Sequence, residues 1–228
     1  MGGVHPLYAE YIESIKAITN RDFKTIIDVG ANNGWYSEAC HYYFPNAKIY
    51  SFEPVPIKYN KIKQLPFINA FYYGLWDKND KAVFHIPREE ELDDGSSFLK
   101  VGKENYIHNI KEHKGCYNIK IERKRFDSLN IEIVRPCLSK IDTEGSEIYV
   151  LRGFGDKLRE VDAIQLEVSF QENFKRQTKL SELISHLEKF GFLGFIQKSL
   201  RVHDDYPNHC DLIFFRKDDK KKIYSKMV

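Results

Sequence analysis

The chain has 228 residues, a comfortable length for one α/β domain. Its 42% hydrophobic content can fill a core while 30% charge keeps the exterior wet. A formal net charge of only +2 leaves no global field to attract nucleic acid, and no apolar run approaches the ~20 residues of a membrane span.

The opening residues lack the apolar centre of a leader peptide, so a soluble, cytoplasmic protein is expected. Leu7, Tyr11, Ile15 and Ile18 recur at helical spacing and predict an amphipathic helix over Pro6 to Thr19, within an N-terminal segment 1–22. Thr25 to Val29 is a short apolar run ending in glycine, followed by a helix from Trp35 to Phe44 that Pro45 stops. Ala47 to Phe52 reads as a strand closed by Glu53-Pro54, Ile57 to Leu65 as a helix, and Phe67 to Leu75 as a third strand. This β-α-β-α-β order demands a parallel sheet with helices on its faces.

The middle is less regular. Lys81 to Ile86 and Asn118 to Phe126 read as strands around a polar stretch, Arg88 to Gly115. That stretch, within a variable segment 88–117, is expected to lie over the site as a long loop or short helix. Strands then resume at Leu138 to Asp142 and Ala163 to Val168, with a helix opening at Ser146 to Leu151 and another at Leu180 to Phe190. Gly194 to Gln197 and Asp211 to Phe215 read as a final antiparallel hairpin at the sheet edge. The expectation is therefore one α/β domain over 1–228: a doubly wound Rossmann-like sheet, mostly parallel, with an antiparallel edge hairpin and helices on both faces. The basic tail, Arg216 to Lys226, reads as a solvated terminus. Cys40, Cys116, Cys137 and Cys210 form no C-x-x-C pair and read as reduced thiols.

The strongest chemical signal is Ile26 to Ser37, IIDVGANNGWYS. A buried strand runs into a turn whose glycines permit positive φ and close approach of a ligand to bare backbone. The following helix aims its amides at that place, which suits a carboxylate or other anion. Glu53 ends the next strand, where a carboxylate accepts hydrogen bonds from both hydroxyls of a ribose. A dinucleotide fingerprint would need glycines at the first, third and sixth places of the turn. Counted from Gly30, Asn32 and Trp35 occupy two of these, which disfavours a nicotinamide oxidoreductase, and no Gly-Lys-Ser/Thr marks a P-loop. The extra acid Asp28 would repel a phosphate but suits a ligand with an ammonium group and hydroxyls, such as S-adenosylmethionine.

These residues resemble the FkbM-type methyltransferases of the class I Rossmann-like fold. The resemblance rests on IIDVGANNGWYS, on SFEPVP at Ser51 to Pro56, and on LSKIDTEGSEIYVLRGF at Leu138 to Phe154. It spans Thr25 to Ser169, and its most specific mark is the Lys-Ile-Asp-x-Glu-Gly-x-Glu string. The chain departs from the family pattern at Thr143 and Ser146, and around Gly74-Leu75-Trp76-Asp77, the place expected to flank adenine. The resemblance implies transfer of a methyl group from S-adenosylmethionine to a hydroxyl of a sugar, glycan or related small molecule. Donor contacts are expected at Asp28, Gly30, Ala31, Asn32, Gly34, Ser37, Glu53, Pro54, Gly74, Leu75 and Asp142.

A hydroxyl is a poor nucleophile while protonated, so a base is expected within hydrogen-bond reach. Asp142, closing a central strand, is the first candidate, with Glu144 beside it and His85 as a weaker one. Glu144 and Glu147 also suit the capping of the helix that follows them. Glu167, near the end of the next strand, is expected to face the same place. Asp142 and Glu167 with Asp127 or Glu144 have the oxygen chemistry for Mg²⁺, but no motif fixes such a site and no metal is expected. Asp94-Gly95-Ser96-Ser97 is a turn sequence that resembles the family's serine loop, which would set Ser96 or Ser97 against the acceptor. Trp35, Tyr36, Tyr72, Tyr73 and Trp76 are read chiefly as core. A nucleic-acid methyltransferase and a non-catalytic S-adenosylmethionine-binding module remain as alternatives. The first helix is left to cover the sheet, close the site or join two subunits, so a homodimer stays open.

Overall fold

The computed structural model describes residues 5–87, 95–100, 116–203 and 206–216. Most of the expected variable segment and nearly all of the basic tail lie outside these residues. Helix α1 (Pro6–Thr19) leads into β1 (Thr25–Val29), α2 (Trp35–Tyr43), β2 (Lys48–Phe52), α3 (Pro56–Ile62) and β3 (Ile68–Phe71). Then come β4 (Gly74–Leu75), β5 (Asp80–Pro87), β6 (Cys116–Lys124), β7 (Cys137–Ile141), α4 (Glu147–Phe154) and β8 (Ala163–Ser169). The described chain ends with α5 (Leu180–Glu188), β9 (Phe192–His203) and β10 (Tyr206–Arg216).

Seven strands form the main sheet in the order β3-β2-β1-β7-β8-β10-β9. β1 pairs in parallel with β2 and β7, while β10 runs antiparallel to both β8 and β9. This is the expected doubly wound, Rossmann-like sheet. Every residue of β1 and β7 is buried, as a sheet covered on both faces requires. Alternate residues serve opposite cores. Ile26 packs with Ile12 and Ile15 of α1 and Ala39 and Cys40 of α2, whereas Ile27 and Val29 pack with Leu151 of α4 and Leu183 and Leu187 of α5. The chain winds outward from β1 to β3 and then jumps to β7, so the switch point lies between β1 and β7. In such sheets ligands bind beyond the carboxyl ends of the strands at this point.

Two sequence expectations change. The apolar run Phe67 to Leu75 is not one strand: β3 stops at Phe71, and Gly74–Leu75 pairs instead with β6 in a second, three-stranded sheet ordered β4-β6-β5. Alternation along a segment reports burial but not which neighbour accepts its hydrogen bonds. The last pair is also longer than its apolar stretches. Residues 198–203 are mostly polar, yet the ladder with β10 carries them as strand, since backbone pairing is indifferent to side-chain polarity. The antiparallel hairpin forms the sheet edge as expected, with β9 outermost and β10 between it and β8. No described helix is long and apolar enough to cross a membrane.

Candidate active site

The floor is the turn after β1. Gly30, Asn32 and Gly34 all have positive φ, at 74°, 50° and 85°. A Cβ on Gly30 would overlap the Asp142 carbonyl oxygen, so glycine lets the ends of β1 and β7 meet backbone to backbone. The amides of Gly30 and Ala31 donate to the Phe52 carbonyl at 3.0 and 3.1 Å, tying the turn to the end of β2.

Glu53 extends from that end, buried. One carboxylate oxygen accepts the Asn32 amide at 2.7 Å and the other the Val55 amide at 2.8 Å. Burial pushes its carboxyl up despite these two bonds and the nearby lysines. Glu53 lines a cavity of about 360 Å³, together with Gly30, Ala31, Asn32, Pro54, Gly74 and Leu75. Gly34 and Ser37 are not in the cavity wall. Gly34 instead caps α2, and Ser37 is buried below the turn.

Asp28 is fully buried under the floor rather than in the wall. Its Oδ2 accepts from the Ser37 hydroxyl at 2.6 Å, and its Oδ1 lies 3.7 Å from the Lys140 ammonium. Lys140, from β7, donates to the Gly30 carbonyl at 2.9 Å and sits 3.2 Å from Asp142 Oδ2. Burial acts to lower the Lys140 pKa, but Asp142 and Asp28 outweigh it and hold the ammonium above the ordinary lysine range. Asp28 therefore reaches the cavity through Lys140, which joins turn, strand and wall. The chain signal for Lys140 was a single cation inside the apolar run Cys137 to Ile141.

The wall beyond the β7 and β8 ends is acidic. Asp142, 30% exposed, lines it with Glu144 and Glu167. Burial and the charges of Asp142, Glu144, Asp211 and Glu147 push the Glu167 carboxyl well up. Glu147 is not in the wall; its Oε1 accepts the Thr143 and Gly145 amides at 3.2 and 3.1 Å, and burial lifts its pKa to about 7. This closes the loop before α4, the capping role open to it from sequence.

Ser96 lines the cavity, while Ser97 Oγ donates to the Glu144 carbonyl at 2.9 Å and accepts from the Leu99 amide. His85 is outside the wall, with Nδ1 2.7 Å from Asn118 Oδ1 across the β5-β6 hairpin. Trp35 and Tyr36 line the cavity; Trp76 stacks on Tyr149 away from it, and Tyr72 and Tyr73 are not in the wall. Among the described residues, no group of three or more His, Cys, Asp and Glu is placed to hold a metal ion.

Several wall residues carry no site signal in the sequence: Leu7, Tyr8 and Tyr11 of α1, Gln165 of β8, and Arg201, His209 and Asp211 from β9 and β10. Tyr11 donates to Asp211 Oδ2 at 2.8 Å, and His5 stacks on Trp35. Thus α1 covers both the sheet and the site. Helical spacing marks its apolar stripe but not the element beneath that stripe.

The sequence model of the methyltransferase FkbM domain matches residues 28–193. No curated protein matches the chain by sequence. Among solved structures, the N-terminal domain of EvdMO1, crystallised in the presence of SAH and D-fucose, is similar with a TM-score of 0.52 at 9% identity. That match covers 95% of this chain and 85% of the other. Longer EvdMO1 gives a TM-score of 0.48 at 9% identity; the match covers 93% of this chain and only 42% of that one. Magnesium protoporphyrin IX methyltransferase from Synechocystis PCC 6803, solved with bound SAM, gives 0.47 at 11% identity over 95% of this chain and 86% of its own.

Proposed function

Since the chain belongs to the FkbM methyltransferase-domain family and is an S-adenosylmethionine-dependent methyltransferase, we propose that it methylates a hydroxyl of a sugar, glycan or related small molecule. One observation carries this reading: a single cavity joins the glycine turn and Glu53 to an acidic rim at Asp142, Glu144 and Glu167. The turn backbone and Glu53 are the groups to hold the amino-acid and ribose parts of the donor, in keeping with the bare backbone at Gly30 and the buried carboxylate at 53. Bound there, S-adenosylmethionine supplies an electrophilic methyl group. The residues do the rest. The α1 tyrosines and the β8 and β10 side chains enclose the acceptor and exclude water, and alignment of this kind contributes several kcal/mol to lowering a barrier. In this reading Asp142, paired with Lys140, takes the hydroxyl proton. Sugar acceptors suit a wall rich in hydrogen-bond-accepting oxygens, and the near-neutral chain disfavours a nucleic-acid substrate.

S-adenosylmethionine or its demethylated product is expected to raise the melting temperature, and NAD is not. At 100 times its Kd a ligand adds about 2.7 kcal/mol. Glu53→Ala should erase most of that shift and itself cost about 1–3 kcal/mol, since the buried Val55 amide and the partly buried Asn32 amide lose their acceptor. A full donor-induced shift in the variant, read by differential scanning fluorimetry, would remove Glu53 from the donor site. The acceptor class is tested by incubating methyl-labelled S-adenosylmethionine with glycan, nucleotide-sugar and RNA fractions. Label is expected in a sugar-containing fraction as an alkali-stable ether, and label in RNA alone would overturn the proposal.

A further inference from the structure

The cavity extends past the donor floor into a lobe between α1 and the rim of β8 and β10. Gln165 is 1% exposed, and its Nε2 donates to Asp211 Oδ1 at 3.2 Å. That bond fixes the amide orientation, because the opposite flip would face two oxygens at one another. Its Oε1 is left buried in the wall with no hydrogen-bond partner. Such an orphan costs stability unless something donates to it.

Beside it, Glu167 and Asp211 are directly opposed on adjacent antiparallel strands, and both line the lobe. Like charges directly opposite one another destabilise a sheet. Asp211 is saturated by donors, taking the Tyr11 and Ser199 hydroxyls at 2.8 and 2.7 Å as well as Gln165. Glu167 makes no hydrogen bond or ion pair among the described residues. Nor does the neighbourhood neutralise the acids. Lys140 is engaged by Asp28, Asp142 and the Gly30 carbonyl, Arg201 is exposed, and burial with the Arg201 charge holds the His209 imidazole below its ordinary range.

We infer that this lobe is an ammonium subsite, and that the acceptor is an amino sugar or similar aminated polyol whose protonated amine donates to Glu167 and to Gln165 Oε1. The inference rests on the methyl-transfer reading and narrows its acceptor. A neutral hydroxyl would satisfy the Gln165 oxygen yet bring no counter-charge to Glu167, whose carboxyl burial and the surrounding acids push well up. An ammonium supplies three donors and the missing positive charge together. A sugar phosphate or uronate would be repelled.

The test is calorimetric titration of the full chain, saturated with S-adenosylhomocysteine, using glucosamine, glucose and N-acetylglucosamine as probes. Glucosamine is expected to bind at least about tenfold tighter than either neutral sugar, a difference of about 1.4 kcal/mol. Glu167→Gln should bring glucosamine to parity with glucose. In the absence of sugar the same variant should raise the melting temperature increasingly as pH rises, because the pushed-up Glu167 carboxyl gains its charge opposite Asp211 only at higher pH. Equal binding of the three sugars, no binding of any, a preference that survives Glu167→Gln, or a lowered melting temperature would each overturn the inference. Failure of the methyl-transfer reading shows separately, as absence of donor binding or of label uptake from labelled S-adenosylmethionine.

Discussion

Lys140→Met is expected to lower the melting temperature by about 10 °C. The ammonium is only 6% exposed and stands between Asp28 and Asp142 while donating to the Gly30 carbonyl. Methionine keeps the unbranched apolar stem, one atom shorter, but leaves Asp28 buried with only the Ser37 hydroxyl as donor. Removing one partner of a buried ion pair costs about 3–5 kcal/mol, and in a chain this long each kcal/mol moves the midpoint by about 2–4 °C. The loss should depend on pH with a definite sign. Burial already pushes the Asp28 carboxyl up, and Lys140 opposes that. Without Lys140 its folded value rises further above the unfolded one. The stability it contributes is then complete below the unfolded value and lost as pH rises through the folded one. The deficit against wild type should thus be larger at pH 8 than at pH 5, and Asp28→Asn in the same chain should recover part of it. Thermal melts of the three proteins at both pH values decide the matter; a Lys140→Met midpoint equal to wild type at pH 8 would show that the pair contributes nothing.

Gly30→Ala should abolish donor binding and cost about 3 kcal/mol or more. Its φ of 74° is strained for any residue with a Cβ, and the added carbon would overlap the Asp142 carbonyl oxygen. Neither group is a flexible side chain, so relief requires the ends of β1 and β7 to separate. Those ends form the switch point where the donor is expected to lie. Gly194→Ala is the control: nothing lies within 4 Å of its added Cβ, and it has no positive φ. Its melting temperature and donor-induced shift should match wild type closely. A Gly30→Ala protein that still responds to S-adenosylmethionine would mean the donor does not use this turn.

The legible parts of the chain were those with local causes. Each main-sheet strand announced itself as an apolar or alternating run, and the glycines and Glu53 as a turn with an acid one strand later. Glu147 was read as a helix-start carboxylate and does bond the amides of its own loop. The illegible parts were partnerships. Asp28 was expected to face the ligand, and the structure sets it beneath the floor against Lys140. His85 was a candidate base, and the β5-β6 hairpin turns it toward Asn118. Gln165 and Asp211 lie in stretches that read simply as strand, and become a pair only because β10 inserts beside β8.

From the sequence alone came the doubly wound order of elements, the glycine turn with its acidic neighbour, and the methyltransferase resemblance. Each depends on residues close together in the chain, where periodicity, backbone sterics and capping act. Only the tertiary structure decided which strand lies beside which, that α1 walls the cavity, and which carboxylates are neutralised and which are left opposed. Those outcomes depend on contacts between residues as distant as Tyr11 and Asp211, and the alternation of apolar and polar residues along a strand carries no record of the strand that will lie next to it.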